Sequence, residues 1–115
     1  MDTLQSRRAV AALAFALSLV TAQSALSWDG SVDGYIAGAD VTDGPNYAFR
    51  IDLQGAPAMC GGTSTWAYIN SDNVNYHVYV ATLLAAKASG SHVTVYSTRD
   101  AGTGYCRIGY VRTTT

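Results

Sequence analysis

Residues 47–53 of this 115-residue chain, Tyr-Ala-Phe-Arg-Ile-Asp-Leu, alternate large apolar side chains with small or charged ones. Successive side chains of a β-strand point to opposite faces, so this alternation predicts a strand with one buried face. The preceding residues 44–46 are Gly-Pro-Asn, a composition typical of turns. Tyr35–Val41 predicts another strand before that turn, and we expect the two strands to form a hairpin.

The stretch after this hairpin contains a short strand and the single predicted helix. Thr65–Ile69 predicts the third strand. Residues 71–73, Ser-Asp-Asn, offer side chains suited to a helix N-cap, and Val74–Ser89 then continues without Gly or Pro. Gly90 fits the position just after a helix C-terminus. We therefore expect a helix over Val74–Ser89.

Two further strands are predicted after the helix, at His92–Ser97 and Tyr105–Arg112. The element order is then three strands, a helix and two strands. The OB-fold is a five-stranded Greek-key barrel, and its helix lies between strands three and four. We therefore predict a mainly β protein with one OB-fold domain over residues 28–115.

The N-terminal residues 1–27 have the organisation of a secretory signal peptide. Arg7 and Arg8 form a short basic region, and the run Ala9–Val20 is apolar apart from one serine. Small residues follow, and cleavage after Ala22 or after Ser27 fits them. The apolar run is too short to span a membrane as a helix. We expect a protein that is secreted or periplasmic after cleavage and has no membrane span.

Two cysteines, Cys60 and Cys106, follow the predicted signal. In a small exported domain such a pair most often forms one disulfide. Its loop would contribute about 4 kcal/mol of stability in the chain-entropy model. The alternative, a catalytic or metal-binding pair, is disfavoured because the two residues are far apart and form no C-x-x-C motif.

The composition argues against several classes of function. Hydrophobic residues make up 49% and charged residues 13% of the chain, which is unlike a disordered protein. Residues 28–115 contain five basic residues and seven Asp, without the basic stripe of a nucleic-acid-binding surface. No enzyme is predicted, because the chain has no Glu and no G-x-S-x-G motif. We expect no cofactor, and the isolated His77 and His92 do not predict a metal site.

The start of the predicted domain carries three short motifs in a fixed order: Trp28-Asp29-Gly30, Asp33-Gly34 and Ala37-Gly38. This order resembles the mature B subunit of the subtilase cytotoxin family, which shows Trp-x-Gly, Asp-Gly and Ser-Gly. The resemblance continues to residues 93–96, Val-Thr-Val-Tyr, and covers most of residues 28–110. It implies a secreted, lectin-like OB-fold subunit of a pentameric ring. Such rings bind cell-surface glycans, often sialylated, and carry an enzymatic A subunit.

One position departs from the family. The Ser of the family's Ser-Gly motif hydrogen-bonds sialic acid, and Ala37 stands in its place here, whereas Asp33 matches the nearby family Asp. A missing hydroxyl leaves a polar group of the sugar unpaired, which costs about 1–3 kcal/mol. This departure from the family leaves a different glycan, or none, open. From the matched motifs and from residue type, six glycan-binding residues are predicted: Asp33, Tyr35, Ala37, Gly38, Tyr68 and Asn70.

Two alternatives remain open at this stage. A calcium turn would use oxygen ligands spaced like those of a calcium loop: Asp29, Ser31, Asp33 and Asp40. The protein could also be a small secreted interaction or inhibitor domain without a sugar site, its Tyr and Trp rings filling the core or a subunit contact. The helix Val74–Ser89 is apolar over more than one face, which favours a homo-oligomer.

Overall fold

The computed structural model describes residues 27–115, so the predicted secretory signal, apart from Ser27, lies outside the described residues. Seven regular elements are present in this part. They are β1 (Gly30–Gly34), β2 (Ile36–Val41), β3 (Phe49–Leu53), β4 (Trp66–Ile69), α1 (Tyr76–Ser89), β5 (His92–Arg99) and β6 (Cys106–Thr114). The prediction of a mainly β protein with one helix is confirmed.

The six strands form one sheet in the order β1-β5-β6-β4-β3-β2. Neighbouring strands run antiparallel, except that β4 and β6 are parallel. β1 and β2 are the two outer strands, although only Tyr35 separates them in the chain. No ladder joins these outer strands to each other in the described residues, so hydrogen bonds do not close the sheet.

The sixth strand is β1, where the sequence analysis predicts only five strands. Gly30–Gly34 contains a single large apolar residue, Val32, and its last two residues have the composition of a turn. The strand forms because every one of its residues pairs with β5, with Val32 opposite Val95. Its residue Asp33 meets a partner 61 positions away, Thr94, and local sequence carries no signal for such a pairing.

The core is built from alternate residues of the strands. Phe49, Ile51 and Leu53 of β3 are buried, while Arg50 and Asp52 between them are partly exposed. The predicted alternation is therefore confirmed for Phe49–Leu53. It does not extend to the first two predicted residues, because Tyr47 lies in the preceding loop with a φ of 53° and Ala48 is buried. The other elements and the loop after β3 complete the core with apolar residues such as Ile36, Met59, Ile69, Leu83, Val93, Val95 and Ile108.

The helix α1 begins at Tyr76, later than the predicted Val74. The Asn73 side-chain oxygen accepts a hydrogen bond from the Asn75 N–H at 2.8 Å, which holds the chain in a turn before the helix. The helix ends where predicted, because Gly90 adopts a left-handed φ of 68°. Within residues 27–115, no helix has the length and apolar character that crossing a membrane requires.

The predicted disulfide is confirmed between Cys60 and Cys106, whose Cα atoms are 5.6 Å apart. Cys60 lies in the loop between β3 and β4, and Cys106 is the first residue of β6. Both are fully buried. Cys106 is opposite Ala67 in the parallel ladder of β4 and β6, so the bond ties the loop to the middle of the sheet.

Candidate functional site

Four aromatic rings pack together beside β4, and we call them the aromatic face: Tyr47, Trp66, Tyr68 and Tyr105. Ala67 belongs to the core, so Trp66 and Tyr68 on either side of it point to the opposite side of the strand. Ring centroids are 4.6 Å apart for Tyr47 and Tyr68, and 4.6 Å apart for Trp66 and Tyr105. This packing buries Tyr68 but leaves 37% of Tyr105 exposed. The rings form one continuous apolar surface.

Two loops bring the outer rings of the aromatic face into place. The Thr42 N–H donates to the Ala48 carbonyl at 2.7 Å and closes the loop before β3, in which Tyr47 has a φ of 53°. The Asp100 N–H donates to the Tyr105 carbonyl at 2.8 Å and closes the loop before β6. Both loops are thus held by their own backbone, which fixes where their tyrosines stand.

Arg50 of β3 covers one side of the aromatic face. Its guanidinium carbon lies 5.0 Å from the centre of the Trp66 ring, a distance at which a cation is attracted to an aromatic ring. The Nε atom of Arg50 is buried and has no hydrogen-bond partner among the described residues. An unpaired buried N–H is costly, so an acceptor on a bound molecule that reached this atom would be held by it.

A polar hollow of about 360 Å³ opens beside Tyr68. Carboxylates, amides, a guanidinium and a phenol line it: Tyr68, Asn70, Asp72, Asn73, Asp100 and Arg107. A second depression of about 210 Å³ shares Tyr68, Asp100 and Arg107 and extends toward Arg99. The size of the hollow lies within the range of small-molecule sites.

The hydroxyl of Tyr68 links the aromatic face to the polar hollow. Burial raises the pKa of this hydroxyl above its ordinary value of 10.0, and the negative charge of the nearby Asp100 carboxylate raises the pKa further. Arg107 acts in the opposite direction and lies across the β4–β6 ladder from Tyr68. The hydroxyl therefore stays protonated at neutral pH. The Asp100 carboxylate accepts a hydrogen bond from the Gly102 N–H at 2.8 Å, which holds it within its own loop.

The structure brings two of the six predicted glycan-binding residues into the polar hollow. Tyr68 and Asn70 both line it, although the amide oxygen of Asn70 also accepts a backbone hydrogen bond at 3.3 Å. Gly38 lies in the same cross-strand row as Asp52 and Trp66, so it borders the aromatic face. Three of the six predicted residues thus lie in or beside this surface.

The other three predicted residues lie near the junction of β1 and β2. The Asp33 carboxylate accepts a hydrogen bond from the Thr94 hydroxyl at 2.6 Å. The Tyr35 ring packs edge-on against His92, with the ring centroids 5.5 Å apart. Ala37 is exposed on β2, where the register of the β2–β3 ladder shifts. None of the three lines the polar hollow.

Several residues of the site are absent from the sequence-based prediction: Arg50, Tyr105, Asp100 and Arg107. The alternation in β3 contains a usable signal for Arg50, since it places this cation on the face away from the core. Arg107 reaches the hollow through the parallel pairing of β4 with β6. That pairing joins parts of the chain that are far apart in sequence, and no local sequence pattern predicts it.

The alternative calcium turn needs its four oxygen ligands to converge. Instead, residues 30–34 form the extended strand β1, and the Asp29 carboxylate accepts a hydrogen bond from the Arg99 N–H at 2.7 Å. Asp40 is opposite Arg50 in the ladder of β2 and β3. In the part of the chain that the structure describes, no three His, Cys, Asp or Glu side chains cluster so as to hold a metal ion.

Comparison of the chain with protein-family models gives no match, and neither curated proteins nor solved structures match it. The positions and chemistry of the side chains are therefore the basis for assigning a function. They define a ring-lined surface next to a polar hollow, both carried by β3, β4 and the loops before β3 and β6.

Proposed function

We propose that the protein is a secreted, non-catalytic glycan-binding subunit, and that the aromatic face and the polar hollow together form its sugar site. The observation that carries the proposal is the position of the hollow directly beside packed aromatic rings. A sugar ring presents apolar C–H groups on one face and hydroxyls around its edge. The rings of Trp66 and Tyr105 can pack against the apolar C–H face, and the carboxylates, amides and guanidinium of the hollow can form hydrogen bonds with the hydroxyls.

The strand order supports an OB-fold. β1 and β2 can be counted as two halves of a single first barrel strand that bends at Tyr35. The order of the barrel strands around the sheet is then first, fourth (β5), fifth (β6), third (β4), second (β3) and first again. β3 and β4 are then the second and third barrel strands. OB-folds bind oligosaccharides and oligonucleotides on that face and on the adjoining loops. The aromatic face lies on those elements, while the scarcity of basic residues favours sugar over nucleic acid.

Assembly into a homo-oligomer, a pentamer as the resemblance implies, belongs to the same proposal. Val74 just before α1 is 96% exposed, and Val78 and Leu84 of α1 are exposed as well. Such apolar residues favour contact with further subunits. Several weak sugar sites in one ring would bind a cell surface far more tightly than one site. The resemblance also implies an enzymatic A subunit as partner, and the disulfide suits an oxidising compartment.

A glycan array probed with the purified, disulfide-bonded protein tests the sugar site. The Tyr105→Ala variant removes an exposed ring of the aromatic face, and we expect it to weaken binding at least tenfold, about 1.4 kcal/mol. Tyr110→Ala is the matched control, because Tyr110 is exposed to 47% and packs against Trp28 and Tyr96, away from the aromatic face. This control should bind as the parent protein does.

Two results would overturn the sugar site. One is the absence of binding to any glycan by the parent protein, which would favour the secreted interaction domain without a sugar site. The other is an equal loss of binding in the Tyr105→Ala and Tyr110→Ala variants. The mass of the same sample in solution, measured by light scattering, tests the assembly separately, since a monomer contradicts the ring.

A further inference from the structure

The disulfide between Cys60 and Cys106 is closed to solvent in the folded protein, since both cysteines are 0% exposed. Thiol–disulfide exchange begins when a thiolate attacks a sulfur atom directly, so its rate depends on access to the bond. A reductant therefore needs part of the structure to open first. The element that opens at the lowest free-energy cost then controls the exchange.

Residues 28–34, which we call the strap, lie directly against the disulfide loop, residues 54–65 between β3 and β4. A Cβ atom added at Gly30 would stand 3.0 Å from the Cα atom of Cys60. One added at Gly61 would stand 3.1 Å from the carbonyl oxygen of Asp29. The backbones of the strap and of the loop are therefore in contact, and the strap covers the loop that holds one end of the disulfide.

Arg99 of β5 connects the strap with both cysteines. Its backbone N–H donates to the Asp29 carboxylate at 2.7 Å, and its guanidinium Nη2 donates to the Cys60 carbonyl at 3.4 Å. In the ladder of β5 and β6 it is opposite Cys106. The Asp29 N–H also donates to the Ser97 carbonyl at 3.0 Å. Asp29 is thus bound to β5 twice, next to the disulfide.

Little apolar surface holds the strap to the rest of the sheet. Within residues 27–115, β1 pairs with β5 alone, and Val32 is its single large apolar residue. Before β1, the Trp28 ring packs over β5 and β6, with its centroid 5.2 Å from that of Tyr96 and 5.7 Å from that of Tyr110. An outer strand with few buried apolar side chains opens at a lower free-energy cost than the core strands do.

We propose that the strap controls thiol–disulfide exchange: a dithiol reaches the bond between Cys60 and Cys106 when residues 28–34 detach from β5 while the other five strands stay folded. The first thiolate of the dithiol attacks one sulfur and forms a mixed disulfide, and the other cysteine leaves as a thiolate. The second thiol of the reductant then displaces the remaining cysteine. The protein gains two electrons and two protons, and the reductant becomes a disulfide. The proposal is independent of the sugar site, which lies on β3, β4 and the loops before β3 and β6.

The rate at which excess dithiothreitol reduces the folded protein tests the proposal. Free cysteines are alkylated with iodoacetamide at successive times and counted by mass spectrometry. In the Asp29→Ala variant the strap loses its side-chain bond to Arg99, and we expect reduction to be about tenfold faster or more. Trp28→Ala removes the packing at the start of the strap and should also accelerate reduction. Both side chains are exposed, so both variants should fold.

Asn73→Ala is the matched control. It also removes a side-chain oxygen that accepts a backbone N–H, here that of Asn75 at 2.8 Å, but it does so before α1 and away from the strap. It should destabilise the whole domain without opening the strap, so its reduction should proceed at the parent rate. Amide exchange of residues 29–34 should be faster in Asp29→Ala than in the parent protein, and unchanged in Asn73→Ala.

Urea distinguishes opening of the strap from unfolding of the whole domain in the parent protein itself. The free energy of an opening reaction changes with urea in proportion to the surface that the opening exposes. Detachment of residues 28–34 exposes little surface, so the logarithm of the reduction rate should rise with urea much less steeply than the logarithm of the global unfolding constant. Equal slopes, or equal acceleration in Asp29→Ala and Asn73→Ala, would overturn the proposal.

Discussion

At the scale of single residues, Tyr68 connects the core architecture with the candidate site. Its ring is buried against Tyr47 in the aromatic face, while its hydroxyl reaches Asp100 in the polar hollow. The charge of the Asp100 carboxylate and the burial of the ring both raise the pKa of this hydroxyl. Changes at Tyr68 should therefore affect both stability and the hollow.

The raised pKa of Tyr68 predicts a specific dependence of stability on pH. Because the folded state favours the protonated hydroxyl, its stabilising contribution is complete below about pH 10 and is lost as pH rises through the folded pKa. The Tyr68→Phe variant lacks this contribution. Its free energy of unfolding, measured by urea denaturation between about pH 9 and 12, should fall less steeply with pH than that of the parent protein. Identical slopes would contradict the predicted shift.

Residue type and spacing predict some members of the site and not others. Tyr68 and Asn70 both line the polar hollow, because they lie at the end of a strand that the sequence predicts clearly. Asp33 and Tyr35 carry the chemistry of a sugar site but belong to a different region of the sheet. Their distance from the hollow follows from strand order, which the sequence does not encode locally.

At the scale of elements, β1 depends on its fit against the disulfide loop. A Cβ atom added at Gly30 would lie 3.0 Å from both the Cα of Cys60 and the N of Gly61. These are backbone atoms beside a covalent cross-link, so they cannot move aside easily. A Cβ at Gly34, in the same strand, would meet only the Leu53 side chain at 3.5 Å, an ordinary contact.

We therefore predict that Gly30→Ala lowers the free energy of unfolding by about 1–3 kcal/mol. Gly34→Ala is the matched control and should be close to neutral, because it makes the same chemical change in the same strand without the backbone clash. Urea denaturation of both variants measures the difference. Comparable losses in the two would show that β1 does not rest against the disulfide loop.

The elements differ in how well the local sequence predicts them. Residues 49–53 of β3 and the C-terminal end of α1 are predicted correctly, because alternation and a C-terminal glycine are local signals. The helix start is displaced to Tyr76 by a side-chain turn at Asn73 that competes with helical hydrogen bonding. β1 is missed altogether, since its pairing with β5 supplies what its composition lacks.

At the scale of the whole molecule, one covalent bond secures a small domain. The disulfide closes a loop between residues 46 positions apart, which corresponds to about 4 kcal/mol in the chain-entropy model. That is a large part of the stability of a domain this size. Reduction should therefore weaken the entire sheet rather than one loop.

We predict that reduction lowers the melting temperature by about 15–30 °C. Circular dichroism of oxidised and reduced protein measures the shift, and the double variant Cys60→Ser/Cys106→Ser should melt near the reduced protein. A shift of only a few degrees would mean that the disulfide contributes far less than its loop length predicts.

The pairing of β1 with β5 also has a kinetic consequence. β1 pairs with β5, which is made only after most of the chain, as the hydrogen bond between Asp33 and Thr94, 61 positions apart, illustrates. Contacts of such long range slow folding, because the chain loses much entropy before they form. The strands before α1 and the strands after it each need partners from the other group to complete the sheet. An emerging chain therefore cannot complete its sheet until β5 is available.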